Sequence, residues 1–315
     1  MNTIATLTTK QIFAILPQTI GAFLPLLKAR VQEIDSVERR TFKYGETDRH
    51  QLDVYYPPSE TVGENTKAPV IFHVYGGGWA SGDRVFAPPA DVLFRNVGAY
   101  FAKQGFFVAI ADYRLIPIGK FPDPVQDLHD AIQWVNSNVS TITSSSTSHI
   151  TPDLSNTFLT GHSAGGANVI SLLLLPSILP LSSPIRTQIK AATIVGGPFH
   201  SRSSLPGSVP SLNQYYGPTK EDIETKEPLG LLEVASEELL ERIPDVLILT
   251  AENEPDDLAV CSDDFERALK EKTKINVGRG VLKGHNHISP FLALSSGEGE
   301  EFGLDIVKFF KARVN

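Results

Sequence analysis

The chain has 315 residues, 41% of them hydrophobic and 20% charged, which supplies a sizeable core and excludes a disordered or collagen-like chain. Lys plus Arg number 28 against 36 Asp plus Glu, and the net charge of −8 gives no broad electrostatic reason to bind nucleic acid. The single cysteine, Cys261, excludes an intrachain disulfide and a cysteine-based zinc cluster.

The first apolar run, residues 11–29, reads QIFAILPQTIGAFLPLLKA. It contains Pro17, Gln18, Pro25 and Lys28, and it falls short of the roughly 20 clean apolar residues that a membrane span needs. No stable membrane span is expected. An amphipathic helix docked on the fold is the simpler reading; a flap over an apolar site, or an interfacial anchor, is the sharper one. Lys10 alone is little positive charge for a secretory leader, and the C-terminal KARVN matches no retrieval signal, so a cytoplasmic location is the expectation.

Beyond this segment, strand-like and helix-like stretches alternate. Residues 52–56 (LDVYY) are short and β-prone, and 69–75 (PVIFHVY) form a buried strand ending in Gly76-Gly77-Gly78. Residues 91–103 have helical spacing, and 106–111 (FFVAIA) form a continuous apolar run, as in a strand covered on both faces. A helix is predicted over 124–138, a short strand over 157–160 and a helix over 164–175. Strands follow over 191–195, 246–250 and 275–282, with helices over 257–270 and 300–311. Such alternation predicts an α/β fold, a mostly parallel central sheet with helices on both faces.

Two stretches break the rhythm. Residues 136–156, rich in Ser and Thr, read as a solvated loop, and 199–242, which contain Pro206, Gly207, Pro210, Gly217 and Pro218, read as a cap-like insertion over a site. The chain therefore divides into an N-terminal helical segment, 1–40, and one α/β domain, 41–315, with the insertion near 199–242.

Gly161-His162-Ser163-Ala164-Gly165 fits G-x-S-x-G, with a strand before it and a helix after it. A strand that turns abruptly into a helix exposes the Ser163 hydroxyl at the helix N-terminus, where the dipole favours a developing anion. Without that context the same five residues read as a serine-capped helix start. Upstream, three glycines at the end of a strand leave backbone N–H groups unobstructed. Gly77, Gly78 and the amide of Ala164 then supply three donors for an oxyanion, the need of acyl transfer. A phosphate loop is a poor fit, because no Gly-Lys-Ser/Thr follows.

The pieces YGGGW (75–79), DYRL (112–115), GHSAGG (161–166) and LDVYYP (52–57) together resemble the α/β-hydrolase superfamily, in particular its hormone-sensitive-lipase-like, carboxylesterase and arylformamidase-like serine esterases. The resemblance runs from about residue 40 to the C-terminus. It implies an α/β-hydrolase fold, a carboxylesterase working through an acyl-serine, a small-molecule ester or amide substrate and no cofactor or metal. It also implies an acid after the strand 246–250, where A-E-x-D-P places Glu254, with Asp256 and Asp257 as alternatives. It implies a histidine in G-x-x-H, which selects His287 over His285. A His-x-His pair also suits a metal, yet no further ligands appear at recognisable spacing. One departure stands out: Tyr75 occupies the position of the family's usual histidine. His73, two places earlier, is read as facing the other side of the strand. Asp112, Tyr113 and Arg114 are read as braces for the glycine loop, and Asp127 as a helix-face partner.

Trp79, His162 and Phe199 are candidate pocket-lining residues, with plain packing the competing role. Other readings on the same scaffold are an arylformamidase-type amide hydrolase, an acyltransferase in which an alcohol outcompetes water, and a non-catalytic ligand-binding member. The sequence gives no oligomeric state.

Overall fold

The structure, a computed structural model, describes residues 1–63, 66–202 and 210–314. Among these, eight strands form one sheet: β1 (Arg39–Lys43), β2 (Gln51–Tyr55), β3 (Lys67–Val74), β4 (Phe107–Ala111), β5 (Thr151–His162), β6 (Ile189–Val195), β7 (Asp245–Asn253) and β8 (Val277–Asn286). Their spatial order is β1-β2-β4-β3-β5-β6-β7-β8. The pairs β1–β2 and β2–β4 are antiparallel, and every pair from β4 to β8 is parallel.

Every residue of β4 is buried, which is why its sequence is uniformly apolar rather than alternating. The helix Arg95–Lys103 packs on β4 and β2, and the helices Asp123–Ser137 and Ala164–Leu174 pack on each other. Parallel pairing lines up the C-terminal ends of neighbouring strands. Val74 of β3 lies beside Gly161 of β5, His162 beside Val195 of β6, and Asn253 of β7 beside Asn286 of β8. The loops leaving β3, β5, β7 and β8 therefore emerge along one edge, where open α/β sheets place their sites.

Several expectations need correction. β1, with the sequence RRTFK, escaped the pattern reading because its charges hide a strand. The charges are compensated across the pairing: Arg39 and the Thr41 hydroxyl both donate to the buried Asp53 of β2. The stretch 136–156 is not a plain loop. Val139–Ser144 is helical, its Ile142 is fully buried, and the Ile142 carbonyl accepts the Tyr56 hydroxyl at 2.9 Å. From Thr151 the chain already pairs with β3.

The N-terminal segment is helical over Asn2–Ala5, Ile12–Ala29 and Val31–Asp35, and Arg39 and Arg40 of the expected 1–40 segment belong to β1. The helix Ile12–Ala29 reaches 18 residues at a mean hydropathy of 1.6, so by length and composition it can span a membrane, which the sequence reading did not allow. Here Ile15, Thr19, Phe23 and Leu27, four apart along one stripe, are buried, and the helix packs on Ser289–Ala293. The insertion contains the helices Pro210–Tyr215, Lys220–Lys226, Pro228–Glu233 and Glu237–Leu240. Pro206 and Gly207 lie outside the described residues.

Candidate active site

Ser163 sits between β5 and the helix Ala164–Leu174 with φ 51° and ψ −127°, a backbone conformation that non-glycine residues adopt only under local compulsion. Two contacts impose it. The Ser163 amide donates to Val195 O of β6 at 2.9 Å, and the helix start presses against the end of β3. A Cβ on Gly165 would collide with the carbonyls of Val74 and Tyr75, so glycine is what admits this approach.

The Ser163 hydroxyl lies 2.9 Å from His287 Nε2. On the other side of the ring, His287 Nδ1 is hydrogen-bonded to Glu254 Oε1, and Glu254 Oε2 accepts the Ala251 amide at 3.0 Å. Both His287 and Glu254 are buried. Burial alone would push the Glu254 carboxyl up. The imidazole of His287 and the Ala251 amide outweigh that and hold it below the ordinary value of 4.5, so it is an anion facing Nδ1. With Nδ1 bonded to a carboxylate it carries the proton, which leaves Nε2 free to accept from Ser163.

The competing residues have other partners. Asp256 is exposed and pairs with Lys10 at 2.6 Å. Asp257 accepts the Leu258 amide at 3.0 Å. His285 bonds Ser289 Oγ and Gly299 O, both at 2.8 Å, and so ties down the loop that follows. Among the described residues no group of three or more His, Cys, Asp or Glu side chains is placed to hold a metal ion.

Beside Ser163, a Cβ on Gly76 would lie 2.8 Å from the serine Cβ. Gly77 and Gly78 follow with φ of 127° and 61°, and their amides have no hydrogen-bond acceptor among the described residues. The amide of Ala164 starts the helix and has no carbonyl one turn back to bond.

The three pocket candidates are packing residues instead. Trp79 is buried, its ring stacks on Tyr215 at 4.5 Å, and its Nε1 donates to Asn168 Oδ1 at 3.0 Å. Tyr215 donates to the same oxygen at 2.9 Å, so Asn168 ties the insertion and the glycine loop to the helix of Ser163. Phe199 is fully buried and stacked on Phe265 at 4.3 Å, part of the core. His162 lies under the site, with Nε2 donating to His287 O at 2.8 Å. Burial and the neighbouring His287 lower its pKa to about 4, so it braces the His287 loop as a neutral ring. His73 and Tyr75 both contact the Phe94 ring, at 6.1 and 5.3 Å, so they share a side of β3, as a period of two requires.

A family model described as BD-FAE matches residues 52–174. Probable carboxylesterase M8 of Phoma sp. is 26% identical over 167 residues, 50% of this chain and 51% of that protein. Carboxylesterase NlhH of Mycobacterium tuberculosis is 32% identical over 130 residues, 41% of this chain and 35% of that one. The chain thus spans about half the length of the first relative and less of the second. Among solved structures, esterase B from Lactobacillus rhamnosis superposes with a TM-score of 0.66 at 18% identity, covering 95% of both chains. A thermostable esterase from Pseudomonas putida gives 0.64 at 19% identity, over 95% of this chain and 97% of that one.

The chain has the α/β-hydrolase fold. Ser163, Glu254 and His287, the candidate nucleophile, acid and base, lie just after β5, β7 and β8, the chain order of that fold. Two features of the site were not legible in the sequence. Gly196, with φ 59°, leaves space beside the His287–Glu254 pair, and Asn286 builds the turn that carries His287.

Proposed function

We propose that this chain hydrolyses carboxylic esters of small molecules through an acyl-serine intermediate. The observation that carries the reading is the continuous hydrogen-bonded line from Ser163 Oγ through the His287 ring to Glu254. The esterase relatives support the same reading.

Ser163 Oγ attacks the ester carbonyl carbon while His287 Nε2 takes the hydroxyl proton. The carbonyl π pair moves onto oxygen, which accepts hydrogen bonds from the amides of Gly77, Gly78 and Ala164. Glu254 holds Nδ1–H and stabilises the imidazolium. The tetrahedral adduct collapses, the C–O bond to the alcohol breaks, and His287 returns the proton to the leaving oxygen. Water then enters, gives a proton to His287 and attacks the acyl carbon; the bond from that carbon to Ser163 Oγ breaks, His287 returns the proton to Oγ, and the acid leaves with Ser163 restored.

Hydrolysis of short-chain p-nitrophenyl esters by wild type, Ser163→Ala and His287→Ala tests this. The reading expects turnover by wild type and a loss of about 10⁴-fold or more in either variant. An N-formyl aromatic amine run in parallel reports whether the same residues cleave that amide faster. Stoichiometric ester binding without release of p-nitrophenol would instead indicate a ligand-binding member.

A further inference from the structure

The segment that offers the oxyanion donors is poorly held by its own backbone. Gly77, Gly78, Trp79 and Gly82 all have positive φ, and the internal bonds of the loop converge on one carbonyl, Gly77 O, which accepts from Ala80 N, Ser81 N and Ser81 Oγ. Such a loop needs ties from outside to hold two amides in one place.

Trp79 is tied to Asn168, and its carbonyl accepts the Ile116 amide at 2.9 Å; the two ends of the loop are tied together at Arg49. Its Nη2 donates both to the Tyr75 hydroxyl at 2.9 Å and to Gly82 O at 2.8 Å. One nitrogen thereby joins the residue before the glycine loop to the residue that closes it. The rest of the guanidinium is engaged, with Nη1 on Asp83 Oδ1 at 2.8 Å and Nε on Tyr113 O at 2.7 Å. Tyr75 passes the connection inward. Its hydroxyl donates to Asp112 Oδ1 at 2.8 Å, and Asp112 also accepts the Arg84 amide at 2.6 Å and is paired with the Arg84 guanidinium. The fully buried Tyr75 ring lies against Phe94 and Tyr113, at 5.3 and 4.9 Å. A Cβ on Gly82 would come within 2.7 Å of that ring, so the end of the loop rests on its start. Burial holds the Tyr75 phenol well above its ordinary pKa, so it stays a donor to Asp112.

We infer that Arg49 and Tyr75 are positioning residues that clasp the Gly76–Gly82 loop and set where the Gly77 and Gly78 amides point. This rests on the reading of the chain as a serine esterase. Neither residue has an atom in the line from Ser163 to Glu254, so both act through the loop. A displacement of about 1 Å in such donors costs on the order of 10²-fold in rate.

Two variants test the clasp, Tyr75→Phe, which keeps the ring and loses the hydroxyl, and Arg49→Lys, which keeps the charge and loses the fork. Active sites are first titrated with a fluorophosphonate. Then kcat per titrated site, KM for p-nitrophenyl butyrate and Ki for an alkyl trifluoromethyl ketone are measured. The ketone adds Ser163 Oγ at its carbonyl and places an oxyanion on the same donors. The clasp predicts a fall of roughly 10- to 100-fold in kcat per site, KM within about threefold, and a parallel rise in Ki. A purely structural role lowers the titre of active sites and leaves kcat per site and Ki at wild-type values, which overturns the inference. If Tyr75→Phe does not fold, Arg49→Lys decides by the same criteria. A wild type that neither labels nor turns over overturns the esterase reading and the clasp with it; an active wild type with unchanged variants overturns the clasp alone.

Discussion

The side-chain amide of Asn286 donates to the hydroxyl of Thr19 at 2.9 Å, and both residues are buried. The bond joins the helix Ile12–Ala29 to the residue immediately before His287. The same Asn286 side chain accepts the amides of Ile288 and Ser289 at 3.0 Å each, so it shapes the turn on which His287 stands. The N-terminal helix is thus a buttress for that turn as well as a cover for the core. Thr19→Val leaves the Asn286 amide buried without its acceptor. Urea denaturation should show a loss of about 1–3 kcal/mol. Asn286→Ala, which also strips the turn of its two acceptor contacts, should cost more and should lower turnover per titrated site.

Glu254→Gln keeps the shape of the side chain and removes its charge. Turnover should fall by roughly 10⁴-fold, the size seen when the orienting carboxylate of a serine protease is made an amide. The folded-state pKa of Glu254 is depressed below 4.5. Its stabilising contribution is therefore present above pH 4.5 and is lost as pH falls through the folded value. The stability gap between wild type and Glu254→Gln should narrow on acidification. A gap that widened from pH 7 to pH 4 would contradict the assignment of an ionised, paired Glu254.

Gly196 has φ 59°, and a Cβ there would lie 3.0 Å from His287 Nδ1 and 3.2 Å from both carboxylate oxygens of Glu254. Gly196→Ala should push the pair apart. Steady-state kinetics should show a fall of about 10²-fold or more in kcat. Thermal denaturation should report a modest loss, on the order of 1 kcal/mol, for forcing a side chain into that conformation.

Glu227 in the insertion is buried, and its Oε2 accepts the Ser201 amide and hydroxyl at 2.9 and 3.0 Å. Burial pushes its pKa from 4.5 up to about 7, although the bonds from Ser201 and the Arg202 charge oppose the rise. A carboxyl whose folded pKa is raised stabilises the fold fully below pH 4.5 and loses that contribution as pH climbs through 7. Glu227→Gln should abolish the loss. Its Tm should match wild type near pH 4.5 and exceed it above pH 8, and equal Tm values at both pH values would contradict the assignment.

Much of the candidate site was legible because the fold writes it locally. Gly161 to Gly165, Gly76 to Gly78 and the turn at His287 are short segments in which strand, turn and residue type agree. Glu254 came first only through the resemblance, with Asp256 and Asp257 left open, and the exposed pairing of Asp256 with Lys10 separates it. What the sequence hid are relationships between distant segments. Thr19 and Asn286 are 267 residues apart, and Arg49 sits in a polar stretch with no pattern of its own. Aromatic residues beside a motif misled for a related reason. Trp79 and Phe199 border the site in sequence, but burial decides whether an aromatic ring lines a pocket or fills a core, and burial is not a local property. The charged β1 was missed because Arg39 looks solvated until Asp53 stands opposite.

The most direct test of the account is the intact mass of the protein after incubation with a fluorophosphonate. Wild type should gain one stoichiometric adduct, Ser163→Ala none, and His287→Ala the same adduct far more slowly, because Ser163 depends on His287 for its reactivity. Correctly folded wild type that gains no adduct, or an adduct that persists in Ser163→Ala, would contradict the claim that Ser163 is an activated nucleophile.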